Sequence, residues 1–297
     1  MQQIRIIMRS WLILILLAVV WGSSYILMKK ALLAFEPMQL AGLRIMISST
    51  FFLPFFLKDL KQIKWENWKY YLIVGLLGSG FPAVLFAFAQ TQLNSSLTGI
   101  LSSLTPLFTL ITGIFFFGTV VNRNQIMGVV LGLSGAILLM MLGGKKNSFD
   151  LQTLFYTSLV VFACLFYALS SNTVGTNLNK EKSFKISTVA FTFLLPLGIS
   201  ILIAEQVWIP LSNPGGFKGL AYVSVLSLGG TVAASVLFFH LVQVRDAIFA
   251  SMVSYLIPIV ALIWGFLDGE MISAIHGMGM FLILIGVFLT RKKSKKH

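Results

Sequence analysis

Charged side chains are scarce in this chain. Only 10% of its 297 residues are Asp, Glu, Lys or Arg, whereas a typical soluble domain has about 25%. Acidic residues are the rarest, with nine against 22 lysines and arginines, which gives a net charge of +13. These values exclude an ordinary cytosolic protein. A basic excess could indicate nucleic acid, anionic lipid or an acidic ligand, but the mean hydropathy of +0.91 makes nucleic acid the poorest candidate.

The residues that build disulfides, metal sites and common active sites are also missing. Cys164 is the only cysteine, so it cannot form an intrachain disulfide, and His240, His276 and His297 are widely separated. The sequence contains no Walker loop, no His-Glu-x-x-His, no Gly-x-Ser-x-Gly and no close pair of carboxylates within an apolar stretch. We therefore expect no enzyme, no metal site and no cofactor.

Long apolar stretches dominate the chain instead. A helix needs about 20 mostly apolar residues to cross a bilayer, and ten stretches of that kind are separated by short polar breaks. They cover residues 11–31, 38–57, 69–90, 95–117, 124–142, 151–172, 185–204, 217–241, 247–267 and 273–290. The sequence therefore predicts an all-α membrane protein with ten transmembrane helices.

The first stretch also looks like a signal peptide, because Arg5 and Arg9 precede an apolar run and small residues at 22–24. However, the apolar character continues through Met28, and nine further stretches follow. We interpret it as the first transmembrane helix.

The distribution of basic residues predicts the orientation. Placing the N-terminus in the cytoplasm puts 16 of the 22 lysines and arginines on that side and five on the other, with Arg44 inside a helix. The positive-inside rule then predicts that both termini are cytoplasmic, and the basic tail at 291–297 fits an anionic membrane surface. We expect a multi-pass protein of the cell membrane, with a bacterial plasma or inner membrane as its location.

The two halves of the chain contain matching segments. Residues 104–107 (LTPL) match 256–259 (LIPI) at an offset of 152, and Gly128, Leu131 and Gly135 match Gly279, Leu282 and Gly286 at an offset of 151. Because each unit has five spans, the second copy must enter the membrane from the opposite side. The sequence predicts two inverted five-helix repeats, at 1–142 and 151–290, which is a construction common in secondary transporters.

Two prolines lie near the middle of equivalent helices. Pro106 and Pro258 each deprive the carbonyl four residues earlier of its donor, and those carbonyls belong to Ser102 and Ser254. A free carbonyl and a hydroxyl at the same depth in both halves could hold a polar ligand. A kink healed by the serine and by neighbouring helices is the alternative.

Two basic side chains within helices are further candidates, since ionisable groups in a membrane are costly. Lys29 and Arg44 could neutralise a carboxylate or phosphate on a substrate. Alternatively, Lys29 extends to the surface, and Arg44 pairs with carbonyls, Glu36 or Glu66. Asp268, Glu270 and His240 end helices and favour interfacial positions over proton transfer.

The fifth and tenth helices have few polar groups and carry glycine patterns at Gly128, Gly132, Gly277 and Gly279. Such patterns suit peripheral packing or dimerisation. A homodimer through these two helices is the expected protein partner.

The sequence also resembles the EamA-type members of the drug/metabolite transporter superfamily. The resemblance rests on AVVWGSSY at 18–25 with Lys29, on Pro37, Leu40, Ala41 and Arg44, and on paired cores at 102–108 and 255–261, the second followed by Gly269-Glu270. It implies cytoplasmic termini, a central cavity between helices 1–4 and 6–9, and alternating-access transport of small metabolites such as amino acids. The family often has an acidic residue after helix 4, where this chain has Gly118.

These observations predict a secondary transporter that moves a small metabolite, with export as the expected direction. The predicted path-lining residues are Trp21, Ser24, Lys29, Arg44, Gln90, Ser102, Tyr167, Ser254 and Tyr255, and Pro106 and Pro258 shape the path. A membrane sensor or assembly subunit that binds without transporting is the alternative. A channel is weaker, because no ring of charges or filter loop is visible.

Overall fold

A computed structural model describes residues 2–118, 123–142 and 151–290, and these residues form helices and connecting turns without any strand. Ten helices follow one another: α1 (Gln2–Ala31), α2 (Pro37–Lys58), α3 (Trp65–Ala89), α4 (Ser95–Phe117), α5 (Arg123–Leu142), α6 (Leu151–Asn177), α7 (Ser183–Ala204), α8 (Gly216–Val244), α9 (Ala247–Leu267) and α10 (Ala274–Thr290). The predicted basic tail at 291–297 lies outside the described residues.

Eight of these helices are long and apolar enough to cross a membrane. The apolar parts of α5 and α10 are shorter, at Ile126–Leu139 and Ala274–Gly286. The chain is thus an all-helical membrane protein, as the sequence predicted. Many large apolar side chains are exposed on its outer surface, Phe115 and Phe281 among them, and lipid would cover them.

The N-terminal caps show the internal repeat at the level of single residues. Asn94 precedes α4, and its side chain accepts the backbone N–H of Leu97 at 2.7 Å. Asp246 precedes α9 and accepts the backbone N–H of Phe249 at 2.6 Å. Asn and Asp are preferred caps because their oxygens satisfy N–H groups that the first helical turn leaves unpaired. The two caps are 152 residues apart, the offset that also relates Pro106 to Pro258.

Contacts at the helix ends give the relative directions of α1, α4 and α9. Near the beginnings of α1 and α9, the rings of Trp11 and Phe249 lie 5.6 Å apart. Beyond the end of α9, Glu270 contacts Lys29 near the end of α1 and Ser95 at the beginning of α4. Therefore α9 runs parallel to α1 and antiparallel to α4, its counterpart in the other half.

Helices α5 and α10 pack against each other through glycine. A Cβ on Gly135 would collide with the carbonyl oxygen of Gly279, and a Cβ on Gly286 would collide with backbone atoms of Gly128 and Gly132. Such close helix approach requires residues without side chains. Gly128, Gly132 and Gly279 are thus in contact within one chain, whereas a Cβ on Gly277 would meet nothing within 4 Å. The homodimer through these two helices stays a prediction.

Regular helix geometry is interrupted at related places in both halves. The backbone of α3 widens into a π-helical segment at Leu76–Gly80, and that of α8 does so at Leu226–Ala233. In α4, the chain tightens into a 3₁₀ turn at Ser102–Leu104, and α9 has a turn at Met252. Interruptions of this kind are frequent at functional sites because they expose backbone groups and redirect side chains.

The carbonyl of Ser102 is not free, contrary to the expectation from Pro106. It accepts the backbone N–H of Thr105 and also the Thr105 hydroxyl at 2.8 Å. The 3₁₀ turn supplies a donor three residues later and places Pro106 in the first turn of the helical segment Thr105–Phe117, where proline is tolerated. In α9, Pro258 lies inside the helical segment Val253–Leu267.

Candidate functional site

A cavity of about 100 Å³ lies between the two halves of the molecule. Its lining comes from α1, α2, α3 and α4 of the first half and from α6, α7, α8 and α9 of the second half. These are the eight helices that the family resemblance implied. Of the predicted site residues, the cavity brings together Trp21, Ser24, Arg44, Ser102, Tyr167 and Ser254.

The interrupted segments contribute directly to the wall. Gly78 and Ser79 from the π-helical part of α3 line the cavity, and so do Gly230 and Thr231 from that of α8. The indole Nε1 of Trp21 donates to the carbonyl of Gly230 at 2.7 Å. The widened backbone of α8 thus offers an acceptor outside its own helix, and Trp21 is held in place by it.

Aromatic rings form much of the remaining wall. The ring of Phe86 lies between Tyr25 and Tyr167, with centroid distances of 5.8 and 5.9 Å, and Trp21 packs against Phe238 at 5.2 Å. The sequence analysis did not predict Tyr25, Phe86 and Phe238 as site residues, because it selected mainly residues with hydroxyl or charged groups. Tyr25 belongs to the run at 18–25 that supports the family resemblance, and this was the available signal.

Arg44 is the charged residue of the wall. Its side chain projects from α2, and the residue is only 8% exposed. Its Nη2 donates to the Thr231 hydroxyl at a long 3.4 Å, whereas Nε and Nη1 have no hydrogen-bond partner among the described residues. The sequence-based alternatives, Glu36 and Glu66, are not its partners in this structure.

Lys29 lies away from the cavity, in a cluster at the ends of α1 and α9. Its Nζ lies 2.7 Å from Asp268 and 2.8 Å from Glu270, and Lys30 also pairs with Asp268. Both oxygens of Glu270 accept from the start of α4: the backbone N–H groups of Ser95 and Ser96 at 3.0 Å and their hydroxyls at 2.6 Å. A carboxylate at a helix N-terminus is stabilised by the unpaired N–H groups there. We call this group of side chains the Glu270 cluster; its members are Lys29, Lys30, Ser95, Ser96, Asp268 and Glu270.

Two further predicted residues lie outside the cavity wall. Gln90 is buried at the end of α3, where its Nε2 donates to the carbonyl of Tyr25 at 3.3 Å. Tyr255 is partly buried and packs against the hydrophobic core. Their predicted part in substrate binding stays a prediction, as does that of Lys29. Within the described ranges, His, Cys, Asp and Glu form no group of three that could hold a metal ion.

Comparison with known proteins places these features in a family. The sequence profile of the EamA-like transporter family matches residues 9–141 and again residues 154–292, which are the two halves described above. The chain belongs to the EamA-like transporter family. Its membership accounts for the duplicated caps and the duplicated helix interruptions, because each half is one copy of the same unit.

Relatives of this EamA-like protein share its full length. It is 27% identical over 284 residues to the uncharacterized transporter YoaV of Bacillus subtilis, covering 93% of this chain and 94% of YoaV. It is 24% identical over 282 residues to the uncharacterized inner membrane transporter YedA of Escherichia coli K12, covering 92% and 87%. Protein PecM of Dickeya dadantii is 24% identical over 289 residues, covering 93% of each chain.

A solved crystal structure supports the fold. It matches 95% of this chain and 96% of its own with a TM-score of 0.65 at 16% sequence identity, which establishes a shared architecture. Together with the apolar helices, the transporter relatives place this EamA-like protein in the cell membrane as a multi-pass protein.

In the described part of the first half of this EamA-like protein, the position equivalent to Glu270 carries no carboxylate. The position 152 residues before Glu270 is Gly118, which ends α4 with a positive φ of 66°. At the opposite end of the bundle, Glu181 pairs with Lys64 at 2.8 Å and Lys185 at 3.2 Å. The side chains of Glu181 and Glu270 are 6% and 4% exposed, so a buried carboxylate with lysine partners is present at both ends.

Burial alone would raise the pKa of Glu270. The ion pair with Lys29 and the hydrogen bonds from Ser95 and Ser96 outweigh burial and lower the pKa to about 2. The contacts of this cluster therefore favour the ionised form of Glu270 at physiological pH.

Proposed function

We propose that this protein is a secondary active transporter that moves a small metabolite by alternating access through the cavity between its two halves. The observation that carries the proposal is the cavity itself, which lies between four helices from each repeat and is bordered by a π-helical segment from each. Helix interruptions at a site between repeats are a recurrent feature of secondary transporters. Family membership and the names of the relatives support transport in general.

Three finer points belong to the same proposal. All ten helices cross the membrane, both termini are cytoplasmic, and the direction of transport is export. The balance of basic residues supports the orientation, and the antiparallel arrangement of α4 and α9 supports the inversion. The family resemblance implies export or uptake, and export is the direction that we propose.

The serines on the two related helices provide the test. Ser102 is 4% exposed and Ser254 is 5% exposed, and both line the cavity. Replacing either by Val removes the hydroxyl from the wall and puts two methyl groups in its place. We expect Ser102→Val and Ser254→Val to lower transport several-fold in proteoliposomes loaded with a cell metabolite extract, with mass spectrometry identifying the compounds that leave the lumen. Ser200→Val is the matched control, because Ser200 is exposed on α7.

The same measurement separates transport from binding alone. A sensor or assembly subunit would bind metabolites in detergent and release none from sealed proteoliposomes, and that result would overturn the proposal. If both cavity variants transport at the rate of the wild type, Ser102 and Ser254 do not belong to the site.

A further inference from the structure

Arg44 is a buried charged residue whose guanidinium has few hydrogen-bond partners. The residue lies inside a membrane helix, it is more than nine-tenths buried, and it faces the cavity. A guanidinium has five N–H donors in a fixed plane and remains charged at all physiological pH values. Thr231 accepts one of these donors at 3.4 Å, and the other two nitrogens find no acceptor in the described part of the chain.

No carboxylate in the described part of the chain forms an ion pair with Arg44. None of the residues lining the cavity is acidic. Asp268 and Glu270 pair with Lys29 and Lys30 at one end of the bundle, and Glu181 pairs with Lys64 and Lys185 at the other. The described wall of the cavity therefore carries a positive charge without a protein counter-ion.

An uncompensated charge in a low-dielectric site is strongly unfavourable, by several kcal/mol or more. A bound anion offsets that cost, and the planar guanidinium matches the two oxygens of a carboxylate particularly well. The hydroxyl groups of the wall, such as those of Ser24 and Thr231, add polar contacts around the same position.

The rest of the wall is suited to an apolar body. The rings of Tyr25, Phe86 and Tyr167 pack in sequence along one side, and Trp21 and Phe238 pack together on another. An ammonium group would find no carboxylate among the lining residues and would lie in the field of Arg44. The cavity volume of about 100 Å³ favours a small ligand.

We propose that the cavity binds a small organic monocarboxylate with an apolar body, held through its carboxylate by Arg44, in preference to a zwitterionic amino acid. This inference rests on the transporter function proposed above, and it narrows the substrate class of the same cavity.

Four compounds that share an isobutyl group test the inference: isovalerate, isovaleramide, isopentylamine and leucine. They differ in charge and keep nearly the same apolar body. Equilibrium binding to the detergent-purified full chain, measured by calorimetry, is expected to show isovalerate bound at least about ten-fold more tightly than isovaleramide, because a hydrogen bond to a charged group is worth roughly 1.5 to 3 kcal/mol. Leucine and isopentylamine are expected to bind more weakly than isovalerate.

Substitutions at Arg44 then assign the preference. Arg44→Met is expected to abolish the ten-fold difference between isovalerate and isovaleramide, and Arg44→Lys, which keeps the charge without the planar fork, to retain part of it. Arg123→Met is the matched control, because Arg123 is exposed at the beginning of α5. Size-exclusion profiles and melting temperatures establish that each variant is folded. If Arg44→Met does not fold, the affinity ratio of isovalerate to isovaleramide is compared between Arg44→Lys and the wild type instead.

The outcomes distinguish this inference from the proposed function. Wild-type protein that fails to bind isovalerate, or that binds isovaleramide or leucine as tightly, overturns the inference. If such a protein nevertheless exchanges any of the four compounds in a counterflow assay with sealed proteoliposomes, the transporter proposal stands. Tight, Arg44-dependent binding of isovalerate without any counterflow would support the anion site and overturn transport.

Discussion

Two charged side chains of this protein, Arg44 and Glu270, differ in the number of polar partners that compensate their charge. Both oxygens of Glu270 are satisfied by Lys29 and by four donors of Ser95 and Ser96. Arg44 is buried and has one long hydrogen bond. A satisfied ionic network can rigidify a fold, whereas a buried charge without a partner is costly. We therefore propose a structural role for Glu270, beside the binding role inferred above for Arg44.

We expect Glu270→Gln to lower the free energy of unfolding by about 1 to 3 kcal/mol, since the amide cannot pair with Lys29 and leaves hydrogen bonds to the start of α4 unmade. Thermal unfolding in detergent measures the effect, with Glu66→Gln as the exposed control. Because the pKa of Glu270 in the folded protein is about 2, below its ordinary value of 4.5, its contribution is complete above about pH 4.5 and is lost as the pH falls toward 2. The difference between wild type and Glu270→Gln should therefore stay constant from pH 8 to pH 5. A difference that disappears near pH 6 would contradict this assignment.

At the level of helices, the two π-helical segments are the features that hydropathy did not reveal. Helix limits followed closely from apolar length: α4 and α9 begin and end as predicted, while α3 begins earlier, at Trp65, and α6 continues to Asn177. The prolines predicted interruptions of α4 and α9. The widening of α3 and α8 depends on packing between halves, for example the donation from Trp21 to Gly230 across 209 residues of sequence, and no local pattern encodes it.

A single-residue deletion tests the π-helical segment of α8. A π-helical turn contains more residues than an α-helical turn, so we expect deletion of Gly229 to restore α-helical geometry and leave a folded protein. A Cβ at Gly229 would meet nothing within 4 Å, so no close contact is lost. The helix beyond the deletion would keep its packing, whereas the widened turn that offers the carbonyl of Gly230 to Trp21 would be lost, and transport should be abolished. Deletion of Ile201, in the regular part of α7, is expected to prevent folding. Equal melting temperatures for both deletions would argue against this interpretation.

For the whole molecule, the inverted repeat was predictable because five spans are an odd number and the two halves match at offsets of 151 and 152. Some of the residues that line the cavity could be predicted from the sequence. The spacing of Ser102 and Ser254 indicates a polar face, but it does not show which face borders a cavity. Lys29 illustrates the limit, since its partner Glu270 is 241 residues away and no local signal distinguishes an ion pair from a ligand contact.

The proposed orientation predicts which loops face the cytoplasm. In a Cys164→Ala background, Lys61→Cys and Lys180→Cys should be unreactive toward a membrane-impermeant maleimide in intact cells, and Asn213→Cys should react. The three positions are exposed, so accessibility reports the side of the membrane. Reaction of Lys61→Cys together with Asn213→Cys would contradict the alternation of helices.

The Glu270 cluster has a consequence for how the two repeats can move. One carboxylate joins the last turn of α1, the first turn of α4 and the residues after α9, so these three ends behave as a single rigid corner. At the opposite end, the buried carboxylate of Glu181 joins Lys64 of the first half to Lys185 of the second half. Each end of the bundle is therefore closed by an ionic contact between the repeats, and relative rotation that opens one end would have to break the contact at that end.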